Sequence, residues 1–286
     1  MGDSFSMASK EIVEYRNFYA IGIILVVSGH WYSRSIDLHP FFNLLKDIIY
    51  SFHIPIFFIG SGILSQGYLK KRPLFRTLKK TSMYFMLLWA ISSSFSLMTD
   101  GNIENILNPW SWQLSFAWFL LVFSGVKIID YLGLLEKKIV ELSILLISFL
   151  FIIQTQNSTL FLVGRCVHWW VLGRFLRRYA FDLRDRQTLY LLGSYGFLCL
   201  CIFGIKYSAG IGIAVVAMFS KLIVSGNLLL IGRHTLQIYL VHLFIIYLIK
   251  LVLPLKIILW IFLPFSYLIC LLISKCMLYF NRYVKN

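Results

Sequence analysis

Residues 17–34 read Asn-Phe-Tyr-Ala-Ile-Gly-Ile-Ile-Leu-Val-Val-Ser-Gly-His-Trp-Tyr-Ser-Arg. The stretch holds no acidic residue, and its only Lys or Arg is the last residue. A helix needs about 20 mostly apolar residues to cross the hydrocarbon core of a bilayer. The stretch therefore predicts a membrane-spanning helix with a histidine, His30, inside it.

The composition of the whole chain points the same way. Of 286 residues, 59% are hydrophobic and only 14% are charged, and the mean hydropathy is +0.79. Soluble domains typically carry about 25% charged residues and 45–50% apolar ones. These values exclude a soluble enzyme, a disordered chain and a small disulfide-rich secreted module.

Ten apolar segments are long enough, or nearly long enough, to span a bilayer. The predicted fold is therefore all-α: one domain over residues 1–286, built as a polytopic transmembrane bundle of about ten helices. The predicted spans are 17–34, 44–66, 80–98, 113–132, 139–154, 158–176, 188–205, 208–225, 235–253 and 256–277.

The basic residues are distributed unevenly between the loops. Lys and Arg number 27 against 12 Asp and Glu, and they concentrate in alternate loops such as 70–80 and 174–186. The loop at 99–115 contains no basic residue. By the positive-inside rule this alternation predicts a multi-pass protein of the inner (plasma) membrane with both termini in the cytoplasm. The long apolar runs between the basic loops argue against a nucleic-acid partner.

Motifs for metal or cofactor chemistry are absent from the sequence. The five cysteines lie in apolar segments without paired metal-ligand spacing, which is typical of packing residues. No HExxH, GxSxG, Walker or Rossmann pattern occurs in its required context. We therefore predict no metal site and no bound cofactor. Asp130, near the end of the fourth span, is the acid that comes closest to a deep position.

Titratable side chains at membrane depth are costly and so become functional candidates. His30 shares a helix face with Tyr19, about 20° away, and with Arg16, about 40° away on the other side. His30 lies about 21 Å along the helix from Arg16. The position suits an interhelical hydrogen bond or a general base, and spacing alone leaves both open.

Two further histidines lie in apolar segments. His53 comes shortly before Pro55, which removes a helical hydrogen bond and favours a polar pocket. His53 and His30 both belong to the outer halves of antiparallel helices and are placed to meet. His242 shares a face with Tyr239 in the ninth span.

The sixth span holds Arg165 and His168, which are three residues apart and share a face. A buried Arg needs a carboxylate, a carbonyl, water or an anionic ligand. The neighbouring Trp169 and Trp170 are suited to stacking on a ligand or to forming an apolar wall, the commoner case.

Four stretches together resemble the acyltransferase-3 family of integral membrane O-acyltransferases. They are residues 20–30, which end in Ser-Gly-His; residues 52–62, Phe-His-Ile-Pro-Ile-Phe-Phe-Ile-Gly-Ser-Gly; Trp118-Phe119-Leu120; and residues 231–242, Ile-Gly-Arg-His-Thr-Leu-Gln-Ile-Tyr-Leu-Val-His. The family usually has Lys or Arg eleven positions before the first-helix histidine. Here that position is Tyr19, and Arg16 is the candidate substitute.

The resemblance implies transfer of an acyl group, most often acetyl, from a cytoplasmic coenzyme A thioester. The acceptor would be a hydroxyl of a cell-surface polysaccharide or of its lipid-linked precursor. Acetyl-CoA would act as co-substrate, so the expected partners are an acyl-CoA donor, a glycan or glycolipid acceptor and the lipid bilayer.

The hypothesis that follows makes His30 the general base or a transient acyl carrier. Further candidates for catalysis or acceptor binding are Tyr19, His53, His168 and His242. Candidates for the donor phosphates, or for a charge on the acceptor, are Arg16, Arg76, Arg165 and Arg174, because the guanidinium fork suits phosphate. Plain topology signalling is the alternative for Arg76 and Arg174.

Other functions fit the same composition. A transporter or flippase for a lipid-linked sugar would use the same buried bases for pyrophosphate, although the sequence shows no internal repeat. A polysaccharide polymerase, which should have a large outer loop, and a membrane scaffold are two further alternatives.

Overall fold

A computed structural model describes residues 2–33, 40–65, 115–154, 158–179, 181, 183, 185–223, 225–252 and 255–283, with seven single positions between 75 and 90. Over this part of the chain the fold is helical and contains no strand. The helices are α1 (Gly2–Ser33), α2 (Pro40–Phe52), α3 (Pro55–Leu64), α4 (Ser115–Tyr131), α5 (Lys138–Gln154), α6 (Ser158–Arg178), α7 (Arg186–Phe203), α8 (Ala209–Leu222), α9 (Gly226–Arg233), α10 (Thr235–Val252) and α11 (Leu255–Tyr283).

The predicted all-α class is confirmed, and most helices coincide with a predicted apolar segment. Three features differ. Helix α1 begins at Gly2, fifteen residues before the predicted first span. The second segment is divided into α2 and α3, which are separated by His53 and Ile54. The short helix α9 was not predicted, because its eight residues are fewer than a membrane-spanning window requires. The third predicted span, 80–98, lies almost wholly outside the described residues.

Among the described residues, one helical stretch is long and apolar enough to cross a membrane. It is Pro40–Leu64, with a mean hydropathy of 1.5. Two shorter apolar helices are Ala209–Leu222 and Leu263–Tyr279.

The helices group into two compact units. The first unit comprises Met1–Gly60 and Phe181–Asn286, and the second comprises Ser61–Ala180. Helix α1 is the centre of the first unit, where it packs against α2, α8, α9, α10 and α11. The buried apolar side chains of this core include Ile23, Val27, Trp31, Ile231, Ile238, Ile246 and Cys270.

Small residues allow close helix contacts in the first unit. Helices α7 and α8 meet at Gly196 and Gly210, where a Cβ on Gly196 would lie 2.9 Å from the Gly210 backbone. Helices α1 and α9 meet in the same manner at Gly232, against the backbone of Arg16. The turn after α7 begins at Gly204, whose φ of 91° is a conformation that L side chains rarely adopt.

The second unit contains the end of α3 together with α4, α5 and α6. Helices α5 and α6 pack along their lengths, and α4 packs against α6. Gly62 lets α3 approach α6, because a Cβ there would meet the carbonyl oxygen of Trp170 and lie 3.0 Å from the Arg174 nitrogen. Trp170 is itself fully buried.

Candidate functional site

A cluster of three histidines and a tyrosine lies in the first unit. The rings of His30 on α1 and His242 on α10 have centroids 5.0 Å apart. Tyr50 on α2 contacts two of the histidines: its ring centroid lies 6.0 Å from that of His30 and 4.7 Å from that of His53. Two of the predicted site residues, His30 and His242, are therefore in direct contact, and Tyr50 connects the third, His53, to His30.

Burial distinguishes the members of this histidine cluster. His242 is fully buried and His53 is 4% exposed, whereas His30 and Tyr50 are half-buried. A group that reacts with a substrate needs some access, so His30 is better placed for chemistry than the other two imidazoles.

Backbone carbonyls hold two of the imidazoles in a defined tautomer. His242 Nδ1 lies 2.7 Å from the carbonyl oxygen of Tyr239, and His53 Nδ1 lies 3.1 Å from the carbonyl oxygen of Ile49. A carbonyl only accepts, so each Nδ1 carries the proton and donates it. In the neutral ring, Nε2 then keeps its lone pair.

The break between α2 and α3 positions His53. The His53 backbone nitrogen still donates to the carbonyl of Ile49 over 2.9 Å, and the helical pattern resumes when Phe57 donates to Ile54 over 3.0 Å. Pro55 cannot donate, which is why the helix is interrupted here. The structure therefore has the interruption of the helix that this proline predicts.

Tyr19 and Arg16 also lie on α1, closer to its N-terminus than His30. The Tyr19 ring stacks on Phe57 with centroids 5.8 Å apart and an interplanar angle of 5°. Its hydroxyl lies over Gly60, where an added Cβ would be 2.6 Å away. The Arg16 side chain is half-buried, and its backbone contacts Gly232.

The second unit holds Arg165 and His168. Arg165 is 9% exposed, and its guanidinium lies over the Phe161 ring at 5.3 Å from the centroid. His168 Nδ1 lies 3.4 Å from both the hydroxyl of Ser148 and the carbonyl oxygen of Leu145. Ser148 also donates to Leu145 over 2.9 Å. These contacts tie α6 to α5.

Arg174 is the centre of an ion-pair network in the second unit. Its guanidinium pairs with Asp130 through Nη1 and lies 3.5 Å from Glu141 through Nε. Arg178 pairs with Glu141 at 2.8 Å, and Lys127 lies 3.8 Å from Asp130. The network contains three positive and two negative side chains, and its formal net charge is therefore small. Its ion pairs connect α4, α5 and α6.

Sequence reasoning missed Tyr50 of the histidine cluster and Lys127, Glu141 and Arg178 of the ion-pair network. Glu141, the third residue of the predicted span 139–154, is 1% exposed, and thus more buried than Asp130. The signal available was an acid inside a predicted apolar span, three residues after Lys138. Tyr50 gave no signal, because its role depends on contacts between helices. Arg76 lies outside the described residues.

No family model, curated protein or solved structure matches this chain. Among the described residues, no group of three or more His, Cys, Asp or Glu side chains is arranged to hold a metal ion.

Proposed function

We propose that this chain is a polytopic membrane O-acyltransferase, which transfers an acetyl or similar acyl group from coenzyme A to a hydroxyl of a cell-surface glycan or its lipid-linked precursor. The observation that carries the proposal is the histidine cluster. His30, His53 and His242 come from separate segments; His30 contacts His242 directly, and Tyr50 links His30 to His53. The family resemblance of residues 20–30, 52–62 and 231–242 supplies the reaction.

Exposed apolar side chains support a membrane location for helices shorter than a full span. On α5, Leu142, Leu146 and Leu150 are 48%, 59% and 43% exposed and form one stripe. On α7, Phe197 and Leu198 are 61% and 58% exposed. Apolar surface of this extent on helix after helix is what lipid contact requires and what water disfavours.

The proposed reaction begins at His30. Nε2 of His30 takes the proton of the acceptor hydroxyl as the acceptor oxygen bonds to the thioester carbonyl carbon. The bond from that carbon to sulfur then breaks, and coenzyme A leaves as a thiolate that takes up the proton. In the covalent variant, Nε2 first attacks the thioester carbon, and the carbon–sulfur bond breaks so that coenzyme A leaves as a thiolate. The acceptor oxygen then bonds to the acyl carbon, the carbon–nitrogen bond breaks, and the hydroxyl proton goes to the thiolate.

The arginines differ in how well they suit the donor phosphates. Arg16 is half-buried and lies just before the predicted first span, 17–34, at its predicted cytoplasmic side. Arg174 is paired with Asp130 and Glu141, so a donor phosphate would have to compete with two carboxylates. The same pairing weighs against the transporter alternative, which would need these buried bases for a diphosphate.

The first prediction concerns His30. His30→Ala should lower acetyl-CoA-dependent labelling of a glycolipid acceptor by at least about 10²-fold, because a positioned base contributes about 10²–10⁴-fold. The measurement is transfer of radiolabelled acetyl by the purified protein. The control is Ser28→Ala on the same helix, because Ser28 Oγ donates only to its own helix, at Ile24 O over 2.8 Å.

Two outcomes decide the proposal. Full transfer by His30→Ala, in protein that expresses and inserts like the wild type, would remove the catalytic assignment. A wild-type protein that moves a lipid-linked sugar across vesicles without consuming acetyl-CoA would replace the enzyme by a transporter. Incubation with acetyl-CoA alone separates the two mechanisms, since only the covalent one adds an acetyl mass to the wild type.

A further inference from the structure

Tyr50 lies between His30 and His53 in the histidine cluster, although no motif marks it. Its hydroxyl is 3.4 Å from Nδ1 of His30, and its ring stands edge-on to the rings of His30 and His53. Gly29 makes this approach feasible, because a Cβ there would lie 3.1 Å from Cε2 of Tyr50. The glycine before His30 thus admits the tyrosine ring against α1.

Because Tyr50 contacts Nδ1 of His30, the direction of that hydrogen bond decides whether Nε2 is free to act as a base. A neutral imidazole carries one proton, and the hydrogen bond made by one nitrogen sets the state of the other. Carbonyl oxygens fix the proton of His53 and His242 on Nδ1. His30 Nδ1 instead faces a hydroxyl, which can accept a hydrogen bond or donate one.

We propose that Tyr50 is a positioning residue, whose hydroxyl oxygen accepts the Nδ1 proton of His30 and so keeps the lone pair on Nε2. All three histidines of the cluster then have the same tautomer. When Nε2 takes a proton from an acceptor, the Nδ1 proton stays on His30, and the tyrosine oxygen stabilises the imidazolium. The hydrogen bond between Tyr50 and His30 does not depend on the proposed function, whereas its role in turnover rests on the proposed acyl transfer.

The variant Tyr50→Phe removes the oxygen and keeps the ring that packs on Gly29 and His53. The test is ¹⁵N NMR of the histidine-labelled protein in nanodiscs, with the His30 signals assigned by their loss in His30→Gln. Wild type should show His30 protonated on Nδ1, and Tyr50→Phe should move the proton to Nε2. Tyr190→Phe, an exposed tyrosine on α7 that is 73% accessible, is the matched control and should resemble wild type.

Kinetics provide the second readout. If acyl transfer occurs, Tyr50→Phe should lower kcat by about tenfold, less than loss of the base itself, while KM for acetyl-CoA stays within about twofold. A structural defect would alter the Tyr50→Phe melting curve, lower kcat and raise KM, without moving the proton.

The outcomes separate the two proposals. A wild-type His30 already protonated on Nε2, or an unchanged His30 tautomer in Tyr50→Phe, overturns the role of Tyr50 and leaves the acyltransferase untouched. An unchanged kcat after a shifted tautomer also overturns it. Absence of transfer by the wild type overturns the proposed function, and the NMR spectra still decide the hydrogen bond.

Discussion

The hydrogen-bond partner of each histidine in the cluster determines which ring nitrogen carries its proton. His53 and His242 are each locked by a carbonyl on their own segment, so their tautomers follow from local geometry. His30 depends on a side chain from another helix. One substitution can therefore change His30 while leaving the other two unaffected.

His234, at the junction of α9 and α10, gives a pH prediction. It is 3% exposed, and neither ring nitrogen has a hydrogen-bond partner among the described residues. Burial, and then the nearby charge of Arg233, lower the pKa of His234 below its usual range. The unfolded chain therefore binds the extra proton more readily, and the free energy of unfolding falls as pH drops from about 6.5 through the lowered pKa.

The variant His234→Gln removes this titration. The unfolding midpoint of wild type in detergent should fall more steeply between pH 7.5 and pH 5 than that of His234→Gln, since the difference isolates one group from the other histidines. Parallel curves would show that His234 has the same pKa in both states and is not desolvated.

Residue-scale prediction from sequence has a clear limit. The spacing along α1 placed Tyr19 and His30 on one face, and intrahelical geometry is all that such an inference needs. The pairing of Glu141 with Arg174 and Arg178 joins two helices whose register no local pattern specifies. The contact of Tyr50 with His30 could not be predicted for the same reason, because it also joins two helices.

Whole helices were more predictable than their contacts. The apolar windows identified α4, α5, α6 and α10 to within a few residues, because burial of a helix in lipid or protein demands a continuous apolar run. Helix α9 is too short for such a window, but Ser225 caps it by accepting from the Leu228 nitrogen over 3.2 Å. A serine cap before a short apolar stretch is the signal that could have predicted it.

The contact between α7 and α8 gives a prediction at this scale, with a control on the same helix. Gly196→Ala should lower the free energy of unfolding by about 1–3 kcal/mol, because its Cβ would press on the backbone of Gly210 and Ile211. Gly193→Ala on the same helix meets nothing within 4 Å among the described atoms. It should be neutral or stabilising by up to about 1 kcal/mol, since alanine favours helix.

Thermal unfolding of both variants in one detergent measures this difference. Both substitutions gain the same helix propensity, so the gap between them reports the contact alone. Equal stability of Gly196→Ala and Gly193→Ala would mean that α7 and α8 are separated more widely than the structure places them.

At the scale of the whole molecule, the proposed membrane location accounts for both the basic loops and the apolar helix faces. The Lys and Arg residues concentrate in alternate loops of the predicted topology, and large apolar side chains are exposed on several of the described helices. An aqueous protein would bury those side chains, whereas a bilayer solvates them and leaves the charges at its surfaces. The shortest predicted spans are the most stringent test of this arrangement.

Helix α5 provides that test, because its 17 residues reach only about 25 Å, slightly less than the hydrocarbon core. Its outward stripe of Leu142, Leu146 and Leu150 faces away from the Glu141 ion pair, as a lipid-facing surface should. Fusions truncated after Lys137 and after Asn157 should therefore report opposite sides in a bacterial host. Green fluorescent protein should fluoresce at the first position, and alkaline phosphatase should be active only at the second. The same side at both positions would leave α5 uncrossed and overturn the ten-helix topology.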